Sequence, residues 1–352
     1  MRFHVAALLG MVYLTFAAPF PNASTRPLPD GMPSPSPSEL ETIELNSHGT
    51  LPNGPPPIGI SEGGIINLKL VAFNELFEVA FFHQLIKNIT DKALGYRFTD
   101  EEDYDFVLNG LKVILAQEEL HALDANNALA QVGIDPIEPC QYTFPVNDFD
   151  SALVLATTFT DVVLGTLQDV VERFALGGDF ALTREVSSII GQEGEQQGWF
   201  RVMQGKVPSE LPFLTTSDLN FAFTAIQNFV VPGTCPNINS IPLRTFATLN
   251  VITAPTTAKT KNTKISFDAR HGIDRDTLWL TYINQQNRPI VEPLRIISKD
   301  NSTITAEALF PYEAHQMNGL TIAVVTTTEG PFPNAYSVAN ATLAGPGLFI
   351  IN

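Results

Sequence analysis

Glu118 and His121 are spaced so that an acid and an imidazole leave the same side of a helix on successive turns. Carboxylate-bridged metal bundles use this Glu-x-x-His spacing to aim two ligands inward. The pair interrupts an apolar seam that reads Val107, Leu111, Ile114, Glu118, His121, Ala125, Leu129 and Val132. An ionised carboxylate on such a seam must be neutralised, hydrogen-bonded or bound to a cation. The same interruption occurs twice more. Glu75 and Glu78 stand between Val71, Phe82 and Leu85, and Glu193 stands among Val186, Ile190, Gln197 and Phe200, with Gln196 three residues after it. A lone Glu-x-x-His arises often by chance. Its place on a seam gives it weight.

The elements that must position these side chains are four long amphipathic segments, about 65–89, 100–132, 149–176 and 181–205. Thr99 with Glu102 reads as a capping box, Gly133 as a helix stop, and Gly177-Gly178 as another. A fifth apolar helix, about 217–230, opens at Ser217 or Asp218 and stops at Pro232-Gly233. The third seam, Leu153, Ala156, Thr160, Val163, Leu167 and Val170, carries no acid. Asp161 is set about a hundred degrees off it, and Asp169 and Glu172 fall on the polar side. After about Leu243 the texture changes to short β-branched stretches, 263–268, 277–284, 304–308 and 320–328. The expectation is an α+β chain of two domains: a four-helix bundle within 60–242 and a small immunoglobulin-like β-sandwich at 243–352.

Arg2 and His4 precede an apolar run from Val5 to Ala18 that ends in small residues, so 1–18 reads as a secretory signal peptide. No other stretch reads as long and apolar enough to cross a bilayer. Residues 19–59, rich in Pro, Ser, Gly and Asn, read as a flexible, exposed spacer. Export places Cys140 and Cys235, the chain's two cysteines, where they can pair with each other. Sequons at Asn22, Asn88, Asn301 and Asn340 fit a glycoprotein. The net charge of -17 argues against nucleic acid and anionic membrane surfaces as partners.

Nucleophile-elbow and phosphate-loop motifs do not occur. His83 reads as a satisfied boundary histidine, His271 and His315 as surface residues, and Trp279 and Tyr282 as core rather than a sugar-binding face.

The run from Asn74 through Glu78 to Phe82 resembles the first helix of the ferritin-like domain family, and Glu118-Glu-Leu-His121 its second-helix ligand pair. The segment from Gln192 through Trp199 to Arg201, with Phe229 to Cys235-Pro beyond it, is similar to a secreted fungal branch described as late sexual development or stress-response proteins. The resemblance implies that Glu78, Glu118, His121 and Glu193 are metal-ligand positions, with Glu75 in support. Thr160 stands where a bridging glutamate is needed, and Gln196 where a histidine is needed.

A two-metal site on this pattern is short of charge. One reading is therefore a secreted, non-enzymatic protein of fungal stress response or sexual development, whose vestigial site is a metal-free polar network with no cofactor or holds a single weakly bound metal. The second is an iron- or manganese-dependent oxidase or peroxide scavenger. The third is a structural protein that binds cell-wall polysaccharide through its β-domain.

Overall fold

A computed structural model describes residues 28–55, 57, 59–268, 277–300 and 302–352. The expected signal peptide, Asn22, His271 and Asn301 lie outside them.

The long helices arise where the seams predict. They are α2 (Glu62–Thr90), α3 (Glu101–Gln131), α4 (Phe149–Gly177) and α5 (Phe180–Met203), followed by the shorter α6 (Leu219–Gln227). Ser61 caps α2 by accepting from the Gly64 N–H, which satisfies one of the otherwise unpaired donors of the first turn. At α3 the cap is Asp100, not Thr99, because its carboxylate accepts from both Glu102 and Asp103 N–H and its charge suits the positive end of the helix. Asp148 and Ser151 form a capping box on α4, and Gly178 ends it with φ 83°, a conformation that costs glycine little.

Two expectations are corrected. The Pro-rich stretch is not wholly an exposed spacer, because it contains α1 (Pro37–Ser47), opened by Pro at its first position and a Ser36–Glu39 capping box. Its Ile43 and the preceding Met32 are buried at 1% and 2% exposure, and α1 packs against α3. Also, α4 has an apolar window of mean hydropathy 1.3, enough by length and composition to cross a bilayer. Two-thirds of that window is buried in the protein, which accounts for its apolarity without a membrane.

The chain forms two compact units. The first takes in the described residues to Leu155 with Glu172–Glu185 and Ile226–Pro242, and the second takes in Ala156–Val171, Val186–Ala225 and Leu243–Asn352. In the first, the Cys140–Cys235 disulfide forms as expected and closes a loop of 95 residues. Beside it Phe77, Phe81, Tyr142, Phe144 and Phe229 pack ring against ring. Asp179 accepts from the backbone and hydroxyl of Ser61, tying the α4–α5 turn to the start of α2.

The second unit carries eight strands: β1 (Leu249–Thr253), β2 (Lys261–Asp268), β3 (Trp279–Asn284), β4 (Ile290–Pro293), β5 (Arg295–Lys299), β6 (Thr303–Phe310), β7 (Gly319–Thr326) and β8 (Thr342–Ile351), with the short helices α7 (Tyr312–His315) and α8 (Ala335–Ala341). They form two antiparallel sheets, β1-β2-β6-β5 and β4-β3-β7-β8. In sequence letters this is A-B-E-D against C′-C-F-G, the order of an immunoglobulin-type sandwich. Ile265, Phe267 and Ile304 of one sheet share a core with Leu280, Tyr282 and Val325 of the other. Tyr282 is fully buried against Phe310 and Phe349, and Trp279 is half-buried, so neither offers an exposed sugar platform.

The sandwich shares its unit with helical segments. Thr215 donates to the Leu320 carbonyl and accepts from the Gln285 N–H, while Gln286 donates to Gln168 of α4.

Candidate metal centre

Helix α2 is buried around most of its circumference, and the run Asn74 to Phe82 is closed to solvent apart from Ala80. Helical spacing sets Glu75 and Glu78 a turn apart, and both are completely buried. Glu118 is completely buried on α3, and the His121 side chain one turn on is 13% exposed. Nδ1 of His121 lies 2.9 Å from Glu118 Oε2 and 3.6 Å from Glu75 Oε2, the second distance being beyond hydrogen-bond length. Asn74 donates to Glu78 Oε1 at 2.8 Å.

One ligand atom from each of Glu75, Glu118 and His121 falls within 4.8 Å of the others. Glu75, expected only in support, is thus in the ligand-bearing group, while Glu78 is held to one side by Asn74.

The electrostatics are those of an acid-rich site under low solvent exposure. Burial pushes the Glu75 carboxyl up to about 7, His121 opposing and Glu118 reinforcing the shift. Glu78 is pushed well above the ordinary range, first by burial and then by the charges of Glu118 and Glu75. Burial by itself would lower the His121 imidazole; Glu118 and Glu75 outweigh it and hold the ring well above its usual value. Without a cation the cluster therefore takes up protons.

Both Glu75 oxygens and Glu78 Oε2 are buried and lack hydrogen-bond partners. Three carboxylates and an imidazole, with oxygens left unpaired, fit a divalent first-row cation.

The remaining expected residues were assigned to α4 and α5. Glu193 and Thr160 are fully buried and Gln196 is 4% exposed, as inward seams require. Asp161, expected off the seam, is also buried. It accepts from Gln197 Nε2 at 2.5 Å and is thereby committed to a different polar group.

Residues 65–206 match the ferritin-like domain family. No curated protein matches the chain. The matched segment includes α2 from Ile65 onward, all of α3 to α5 and thus every candidate ligand, while the sandwich lies outside it.

Sequence reasoning missed Glu119, which is 2% exposed on α3, with its carboxyl pushed up to about 9 by burial and by Asp30. It also missed Asp124, raised to about 7 by burial and the Glu185 charge. Both lie beside the seam, where periodicity gives no burial signal. His83 is half-buried and its ring is lowered by burial, as a boundary histidine should be. Of the described sequons, Asn88 is half-buried with its side chain accepting from Gln84, and Asn340 is exposed.

Proposed function

We propose that this is a secreted ferritin-like protein whose centre holds one divalent iron or manganese ion, in place of the two-metal site of a complete oxidase. Glu75, Glu118 and His121 are the ligands from α2 and α3. Glu78 serves as an acceptor beside them, fixed by Asn74.

The observation that carries this reading is the Glu75 carboxyl, whose two buried oxygens have no hydrogen-bond partner. A metal-free polar network would have paired those oxygens with donors, because an unpaired buried acceptor costs about 1–3 kcal/mol. A bound ion of this class would supply one-electron redox chemistry. The chain's own part is to exclude water, hold three carboxyl groups near one point and release their protons as the cation enters. Thr160, which stands where the two-metal pattern has a glutamate, and Gln196, where it has a histidine, favour a single ion over a pair.

Secretion is supported by the apolar run at Val5–Ala18 and by the Cys140–Cys235 disulfide. The fungal stress or developmental setting rests on the sequence resemblance.

Elemental analysis of the purified full-length protein, before and after loading with manganese(II) or iron(II), tests the reading. The expected result is about one equivalent, lost in Glu118→Ala. Failure to load any metal would return the centre to a metal-free polar core, and two equivalents would restore the oxidase reading.

A further inference from the structure

The proposed metal centre is closed to solvent along α2, where the run Asn74 to Phe82 is buried apart from Ala80. Glu75 and Glu118 are completely buried, and on α3 the neighbours Ala122 and Ala125 are buried too. Of the three ligands His121 alone reaches the surface, with a side chain 13% exposed. The way in for an ion is therefore past the imidazole.

Asp124 stands one turn beyond it on the same helix. A spacing of three residues brings Cβ atoms within about 5–6 Å and steps about sixty degrees round the helix. Glu118, His121 and Asp124 thus descend from the bundle interior towards water: the first is completely buried, the second 13% exposed and the third half-buried. Glu185, half-buried near the start of α5 and in the same compact unit, adds a second acid. Burial and the Glu185 charge raise the Asp124 carboxyl to about 7 and His121 opposes them, in keeping with this grouping.

A hydrated dication that leaves water for this interior loses solvation before it has gained all its ligands. A carboxylate at the threshold offsets that loss and concentrates cations at the mouth, an effect worth about 10- to 1000-fold in on-rate for a charged cleft. We propose, resting on the metal reading above, that Asp124 is the entry acid of the centre: it captures a divalent cation at the surface and hands it past His121 to Glu75 and Glu118. Asp124 is not a ligand of the seated ion, and Glu185 supports it by adding charge at the mouth.

Stopped-flow uptake of manganese(II) by the metal-free full-length protein at pH 8, read by displacement from a chelating indicator under nitrogen, tests the route. Asp124→Asn should slow uptake about tenfold at low salt and leave the final stoichiometry as in the wild type. Asp124→Glu should keep the wild-type rate. The gap between wild type and Asp124→Asn should shrink in high salt, where surface charges are screened. Asp105→Asn removes the same charge from the exposed far end of α3 and should load at the wild-type rate. Glu185→Gln should give a smaller slowing, and serves if Asp124→Asn folds poorly. Uptake by Asp124→Asn at the wild-type rate, or a stoichiometry that falls with the substitution, would overturn the entry role while the centre itself stands. A wild type that takes up no manganese(II) would remove the centre and its entry together.

Discussion

Glu75 joins what the seam requires to what the cation reading requires. Its carboxyl is an acid whose pKa in the fold, about 7, lies above its ordinary 4.5. The native state therefore binds a proton that the unfolded chain has already lost. Stability falls as pH rises through that window, and above it the full cost stands, about 3 kcal/mol for a shift of this size. In chelator-treated protein, Glu75→Gln should raise the thermal midpoint at pH 8 and leave it nearly unchanged at pH 5. A lower midpoint at pH 8 would mean that the carboxylate is paired by something other than a metal. The same substitution should weaken manganese binding, measured by loading stoichiometry. Together the two effects separate a ligand from a structural acid.

Among the elements, α1 carries a signal that composition hides. Pro and Ser dominate its surroundings, yet Ser36, Glu39 and Pro37 are a helix start, and Leu40 and Ile43 are spaced to share one face. Ile43→Ala should cost about 2–4 kcal/mol of local stability and expose the arm, read as faster limited proteolysis between residues 47 and 59. The disulfide is the other element-scale device. Its 95-residue loop predicts that reduction costs up to about 4 kcal/mol, measured as the shift in denaturant midpoint with and without reductant.

Both helix seams and alternating strands were legible before the fold was known, because burial on one side imposes a period of 3.6 or 2 on the residues. β1, β4, β5 and β8 were not. The first three are short, β5 is exposed along its whole length so that alternation is absent there, and β8 carries Gly345-Pro346-Gly347 in its middle, which reads as a turn.

For the molecule as a whole, the raised carboxyls all act in one direction. Asp124 and Glu75, each near 7, and Glu119, near 9, hold protons that the unfolded chain releases. The metal-free protein should therefore unfold at a higher temperature at pH 5 than at pH 8, in a scan with chelator present. Manganese(II) should reverse much of that difference, since a ligand that binds only the folded state stabilises it in proportion to the logarithm of its concentration over Kd. A midpoint that rises from pH 5 to pH 8 without metal would contradict the buried-acid account.

The sequence by itself determined the four long helices, which face of each turns inward, that acids sit on three of those faces, and that the two cysteines can pair. Those features follow from periodicity and from cysteine number, which are local or countable. Tertiary structure decided that Glu75, not Glu78, stands with Glu118 and His121, and that Asp161 is buried and committed to Gln197. It also decided that the sandwich is compact with parts of α4 and α5. A helical period fixes an angle only to within the width of a face. The choice between neighbouring acids depends on which side chain the facing helix and its donors leave room for, and that is set by packing between segments far apart in the chain.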